Sequence, residues 1–212
     1  MEILEYGNRN ADTVLLQPVG LHDTDSLGDE ISAICSGLRE DFRFIALMVG
    51  DWNNDLSPWK APAVSGGRGF GGGADGTLEQ IMKICEDRSR SYYIGGYSLA
   101  GLFSLWAACR TDLFRGVAAA SPSVWFPGFT DYIKSHTVRS GCVYLSLGDR
   151  EENSRNPVMA TVGDNIRTAY EILREQKTDC TLVWNGGGHF RESGLRTAKA
   201  FLWTVKWHTF LS

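Results

Sequence analysis

The chain has 212 residues, 43% hydrophobic and 22% charged, with a net charge of −4. That suffices for one domain with a substantial core, read here as residues 1–212. It excludes a basic nucleic-acid surface, and no apolar run is long enough to cross a bilayer, so neither a nucleic-acid nor a membrane partner is expected.

The first residues, "MEILEYGNRN", have neither a basic start nor a long apolar stretch, so no signal peptide is read. The five cysteines (Cys35, Cys85, Cys109, Cys142, Cys180) are odd in number, scattered and without CxxC pairs. They read as reduced thiols of a cytoplasmic protein, not as a disulfide frame or a zinc site. A catalytic cysteine is the sharper alternative, but Cys85 and Cys109 fall on apolar helix faces.

In chain order, seven short apolar or β-branched runs predict strands: "EILEYG", "TVLLQPV", "FRFIALMV", "SYYIGG", "GVAAAS", "CVYLSLG" and "CTLVWN". The later runs are nearly all apolar, as parallel strands covered on both faces require. Helical patterns lie between them. Ser26 can cap one running to Gly37, and Asp75 opens another with Leu78, Ile81, Met82 and Cys85 on one face. Asn156 before Pro157 marks a third start, and the last helix spans about Gly194 to His208. This βα alternation predicts an α/β fold with a mostly parallel sheet, helices on both faces and ligand-binding loops at the strands' carboxyl ends.

Two irregular stretches follow strands. Val49–Gly76 is long for a loop, and its "GGRGFGGG" lacks the strand, tight turn and lysine of a phosphate cradle. The other is "SPSVWFPGF", Ser121–Phe129.

The segment "YYIGGYSLAGLFSLWAA" runs from a strand through small residues around Ser98 into an apolar helix. Ser98 is either a helix N-cap or a nucleophile on a strained strand-to-helix elbow. An elbow needs small neighbours two residues before and two after; Gly96 meets this, and Ala100 stands where glycine is commoner. A serine nucleophile needs a base. Of four histidines, His208 reads as structural, His136 as surface, and His22 as a residue at the mouth of a site. His189, in "VWNGGGHF" just past the last strand, can be delivered over the sheet edge by three glycines. An acid must orient the imidazole. "DREE" follows the sixth strand and offers Asp149, Glu151 and Glu152. Asp149 is placed to be held by backbone N–H groups, Glu151 has the longer reach, and Glu152 faces solvent. The order Ser98, acid, His189 is that of the α/β-hydrolases. Two N–H groups should hold an oxyanion, from Leu99 after the serine and from Leu21 after the second strand.

On "LLQPVGLHD", "DWNNDLSPW", "GGYSLAGLFSLWA", "AAASPSVWFPGF", "LSLGDREENSRNPVM" and "GGGHF", nearly the whole chain resembles the esterase family of α/β-hydrolases that includes enterochelin esterases, feruloyl esterases and esterase D. The resemblance implies a serine hydrolase of carboxylic esters with a Ser98, acid and His189 triad, needing no metal or cofactor. Related hydrolases commonly carry the acid three residues after such a glycine, which points to Glu151. Trp52, Trp59, Trp125 and Phe126 are candidates to stack on a small-molecule ester, or equally to pack the loops that carry them. Ser121–Ser140 leaves no room for a lid domain, so short acyl chains are expected. An amide or thioester hydrolase with the same triad, and a non-catalytic binding module, stay open at this level, as does the oligomeric state.

Overall fold

The computed structural model describes residues 2–64 and 66–209. In chain order it contains β1 (Glu2–Gly7), β2 (Thr13–Val19), α1 (Thr24–Gly37), β3 (Phe42–Met48), α2 (Trp52–Asp55), β4 (Lys60–Ala61), β5 (Phe70–Gly71) and α3 (Ala74–Ile84). There follow β6 (Ser91–Tyr97), α4 (Leu99–Arg110), β7 (Phe114–Ala120), α5 (Phe129–Ser135), β8 (Cys142–Gly148), α6 (Pro157–Ala160), α7 (Val162–Glu175), β9 (Asp179–Asn185) and α8 (Ser193–Thr209). The strands form a seven-stranded sheet ordered β1-β3-β2-β6-β7-β8-β9. Only β1 runs antiparallel, on β3; the rest pair in parallel. All seven expected strands form, each within two residues of its expected ends.

Alternation along the strands feeds two cores. Val14, Leu16, Ile94, Val117 and Leu145 face a layer containing α3, α4, α5 and α7. Leu15, Phe44, Tyr93, Ala118 and Tyr144 face α1 and α8. Helix α4 is apolar all round and buried from Leu99 to Cys109, so it fills the centre of its layer.

Three helix details depart from expectation. Helix α1 starts at Thr24, and the Ser26 hydroxyl bonds back to the Asp23 carbonyl without capping. Helix α3 starts at Ala74, and Met82 is 39% exposed while Leu78, Ile81 and Cys85 are buried. Asn156 does cap, accepting from the Val158 and Met159 N–H groups, but α6 is one turn long before α7 begins.

The Val49–Gly76 stretch is more ordered than a loop. It holds α2 and the β4–β5 ribbon, whose strands pair antiparallel. Two of its glycines make room for Asn54: a Cβ on Gly71 would lie 1.9 Å from the Asn54 side-chain oxygen, and one on Gly73 2.6 Å from its side-chain nitrogen. No lid domain is inserted among the described residues, and no helix there is long and apolar enough to cross a membrane.

One buried carboxyl lies where α1 meets β2. Gln17 Nε2 donates to Glu30 Oε2 at 3.2 Å, while Glu30 Oε1 and Gln17 Oε1 are buried without partners. Burial pushes the Glu30 pKa up to about 8, against the Gln17 hydrogen bond and with help from the Asp23 charge. An unfolded glutamate titrates near ~4.3. Between these values the folded chain keeps a proton that the unfolded chain has released, so stability falls as pH rises through the window. Glu30→Gln removes the titration and supplies an N–H donor. Its melting temperature should match wild type near pH 4 and exceed it by at least about 4 °C at pH 8.5, read by circular dichroism.

Candidate active site

The carboxyl ends of β6, β7, β8 and β9 meet at one place. Ser98 follows β6 with φ 56° and ψ −118°, the strained turn of an elbow. Its hydroxyl caps nothing. Close packing explains the small neighbours: a Cβ on Gly96 would lie 2.5 Å from the Ala100 Cβ, and one on Gly101 would lie 3.0 Å from the Gly96 carbonyl oxygen. Backbone bonds clamp the turn, Ser98 N–H to the Ala120 carbonyl (3.1 Å) and Ser123 N–H to the Ser98 carbonyl (3.0 Å).

Ser98 Oγ lies 3.0 Å from His189 Nε2, and His189 Nδ1 lies 2.7 Å from Glu151 Oε2. The three residues thus form one hydrogen-bonded chain. Asp149 is not in it; its Oδ1 accepts the Gly187 N–H at 2.7 Å and ties the histidine loop to the end of β8. Glu152 pairs with Arg167 at 3.1 Å. Ser121 is buried, and its hydroxyl donates to Glu151 Oε1 at 2.8 Å, away from the open site.

Glu151 is buried and saturated. Beyond His189 and Ser121, its Oε1 accepts from the Gly148 N–H (2.7 Å) and from Arg196 Nη1 (3.1 Å). Burial by itself raises its pKa. The hydrogen bond and charge of His189, then the Gly148 N–H and the Ser121 hydroxyl, outweigh it, and the carboxyl sits below the usual range. As an anion it can only accept, so His189 carries its proton on Nδ1 and presents Nε2 to Ser98 as an acceptor. Gly148 must be glycine, since a Cβ there would lie 2.3 Å from the Gly187 carbonyl oxygen and 2.8 Å from Glu151 Oε1.

Several residues here were not singled out from the sequence. Arg196 of α8 is 1% exposed; besides Glu151 it donates to the Tyr97 hydroxyl oxygen (3.1 Å) and the Gly186 carbonyl (3.2 Å). Tyr97 in turn donates to the His189 carbonyl at 2.6 Å. Ser123 Oγ lies 3.1 Å from Ser98 Oγ. The available signal was Arg196 in helical phase with Ala200 and Thr204, both buried, because a charge on a buried stripe requires a buried anion.

Leu99 opens α4, and Leu21 follows Gly20 on a single turn of 3₁₀ helix. No hydrogen-bond partner for either N–H occurs among the described residues. Asp23 holds this turn by accepting the Gly20 N–H at 2.9 Å. Burial raises the Asp23 pKa, against the Gly20 hydrogen bond and the His22 charge. His22 packs edge-on to Trp52. His136 stacks on Tyr132, and His208 contacts the Arg115 carbonyl, so both are away from the site.

A cavity of about 290 Å³ opens beside Ser98, lined in part by Trp52, Phe70, Leu99, Ser123 and Trp125. Trp52 and Trp125 therefore stand where an aromatic wall was expected. Trp59 and Phe126 do not. Phe126 is only 2% exposed, and Trp59 packs edge-on to it and donates to the Pro127 carbonyl. Phe126 belongs to the core, and the half-buried Trp59 packs against it. Among the described residues no cluster of three His, Cys, Asp or Glu side chains could hold a metal ion.

The sheet order, elbow and helical layers are those of the α/β-hydrolase fold. Solved structures agree. The siderophore hydrolase EstA of Aspergillus nidulans superposes with a TM-score of 0.68 at 16% identity, over 96% of this chain and 94% of that one. An IroE-like serine hydrolase of Shewanella oneidensis gives 0.71 at 13% identity, over 94% and 74%. The enterochelin esterase of Shigella flexneri gives 0.65 at 15% identity, where the match spans 97% of this chain but only 55% of the esterase. No family model matches the chain, and no curated protein does.

Removing the Arg196 charge leaves Glu151 buried against an uncompensated field. Arg196→Met should cost about 3 kcal/mol or more in denaturant unfolding, and the double variant Arg196→Met, Glu151→Gln should be more stable than the single one, because the stranded anion is gone.

Proposed function

We propose that the protein is a serine hydrolase of carboxylic esters, acting as a single domain without metal or cofactor. The observation that carries the reading is the unbroken chain from Ser98 through His189 to Glu151 on a strained elbow at the sheet's carboxyl edge. The structural neighbours, named as siderophore hydrolase, serine hydrolase and enterochelin esterase, support the same reaction class.

In this reading Ser98 Oγ attacks the acyl carbon while His189 Nε2 takes its proton. The Leu99 and Leu21 N–H groups receive the oxyanion. His189 then protonates the departing alcohol, and water releases the acyl group by the same path in reverse. Glu151, held anionic, fixes the tautomer and steadies the imidazolium. The cavity beside Ser98 takes the acyl group. Its size of about 290 Å³ is just below the ~300–1,000 Å³ range of ligand sites, which supports short acyl chains.

Turnover of p-nitrophenyl acetate and covalent labelling by a serine-directed phosphonate test this directly; neither turnover nor label on Ser98 would sink it. Ser98→Ala should lower kcat by at least roughly 10³-fold with an unchanged fold. Glu151→Gln should lower it roughly 10²–10⁴-fold, and Asp149→Asn far less. A larger loss in Asp149→Asn would reassign the acid. Within an ester series, acetyl and butyryl substrates should outpace dodecanoyl ones in kcat/KM.

A further inference from the structure

The two most exposed large hydrophobic residues described are Phe190 (96%) and Leu21 (81%). They lie on loops reaching the site from opposite sides of β6, one after β9 and one after β2. Phe190 is not a loose loop residue. The turn that carries it is closed by the Arg191 N–H on the Gly188 carbonyl at 3.3 Å. Its neighbour His189 is fixed twice, by Tyr97 on its carbonyl and by Glu151 on its ring. The phenyl ring stands edge-on to the imidazole, with centroids 5.3 Å apart and planes at 84°.

The chemistry of the proposed reaction gives this position a meaning. As the tetrahedral intermediate collapses, the bond between acyl carbon and alcohol oxygen breaks, the Ser98 ester bond stays, and the proton on His189 Nε2 passes to the leaving oxygen. That oxygen must lie within hydrogen-bond reach of Nε2. The cavity is lined by Ser98, Leu99, Trp52 and Trp125, but neither His189 nor Phe190 reaches it. In this reading the acyl group, still bonded to Ser98, extends into the cavity, and the alcohol departs on the side of the imidazole. The exposed apolar surface beside that imidazole is the Phe190 ring.

We propose, resting on the esterase reading above, that Phe190 is the leaving-group subsite and selects esters whose alcohol portion is aromatic or bulky and apolar. A polar or very small alcohol leaves the ring in water. A phenyl-bearing one covers it and gains both apolar burial and an aromatic pair.

The test holds the acyl group and the leaving-group chemistry constant. For 2-phenylethyl acetate and ethyl acetate, the wild-type ratio of kcat/KM should favour the phenyl ester by about 10-fold. Phe190→Ala should bring that ratio to within about 3-fold of unity, and Phe190→Trp should keep it high. Phe190 is on the surface, so folding is checked by circular dichroism. A wild-type ratio near unity, or one unchanged in Phe190→Ala, overturns the inference while leaving the esterase intact. If neither ester is cleaved and the phosphonate does not label Ser98, the esterase reading itself falls and takes the inference with it.

Discussion

The buried pair of Glu151 and Arg196 holds the site together. A carboxylate and a guanidinium out of water are unfavourable unless their hydrogen bonds are nearly complete. Here Oε1 of Glu151 takes three donors, from Gly148, Ser121 and Arg196, and Oε2 takes the His189 ring. Those partners belong to the ends of β8 and β7, to helix α8 and to the loop after β9. Satisfying one anion therefore registers four segments against each other. Arg196 extends the tie to β6, because its partner Tyr97 directly precedes Ser98 and also holds the His189 carbonyl. The spacing between Ser98 Oγ and His189 Nε2 is thus fixed by groups that touch neither atom.

Strain is concentrated at the same edge. Ser98 and Ser121 both have positive φ, at 56° and 42°, in a region that non-glycine residues avoid. Each such residue costs on the order of 1–3 kcal/mol. Their loops brace one another: Ser98 donates to the Ala120 carbonyl, Ser123 donates to the Ser98 carbonyl, and Pro122 fills the space over Gly101. The apolar helix α4, buried from its first residue, supplies the packing that offsets the cost. This is why small residues at 96, 100 and 101 matter more than the serine's own surroundings in solvent.

The sheet was legible because parallel strands buried on both faces leave no alternation, only short apolar runs bounded by turns. The elbow was legible because its steric demand falls on neighbours close in sequence. The separation of Glu151 from Asp149 needed an argument about reach, since both follow the same glycine; in the structure Asp149 takes the Gly187 N–H and Glu151 takes the imidazole. Arg196 escaped notice because its phase in α8 becomes meaningful only when the buried face is known. Trp59 and Phe126 could not be sorted from Trp52 and Trp125 for a related reason. A large aromatic after a strand satisfies a core and a ligand wall equally well by composition, and only packing decides. The Val49–Gly76 stretch looked irregular because its strands are two residues long and Gly71 and Gly73 make room for Asn54, a contact invisible in a linear reading.

That stretch also explains how a walled site is built with no lid domain inserted among the described residues. Trp59 spans from the excursion to the Pro127 carbonyl, and Phe70 of the ribbon packs against both Trp125 and Phe126. The excursion after β3 and the loop after β7 are therefore one aromatic unit, and Asn156 ties it to the start of α6 through the Val64 carbonyl. Packing of this kind resists movement, so the cavity beside Ser98 stands formed before any ligand enters it. The opposite side has no such scaffold; His189 is anchored, yet Phe190 beyond it faces water. A site closed on one side and open on the other discriminates by size where it is closed and by surface contact where it is open. The walled side limits what fits beside Ser98, whereas the open side constrains only the part of a ligand that touches the rim.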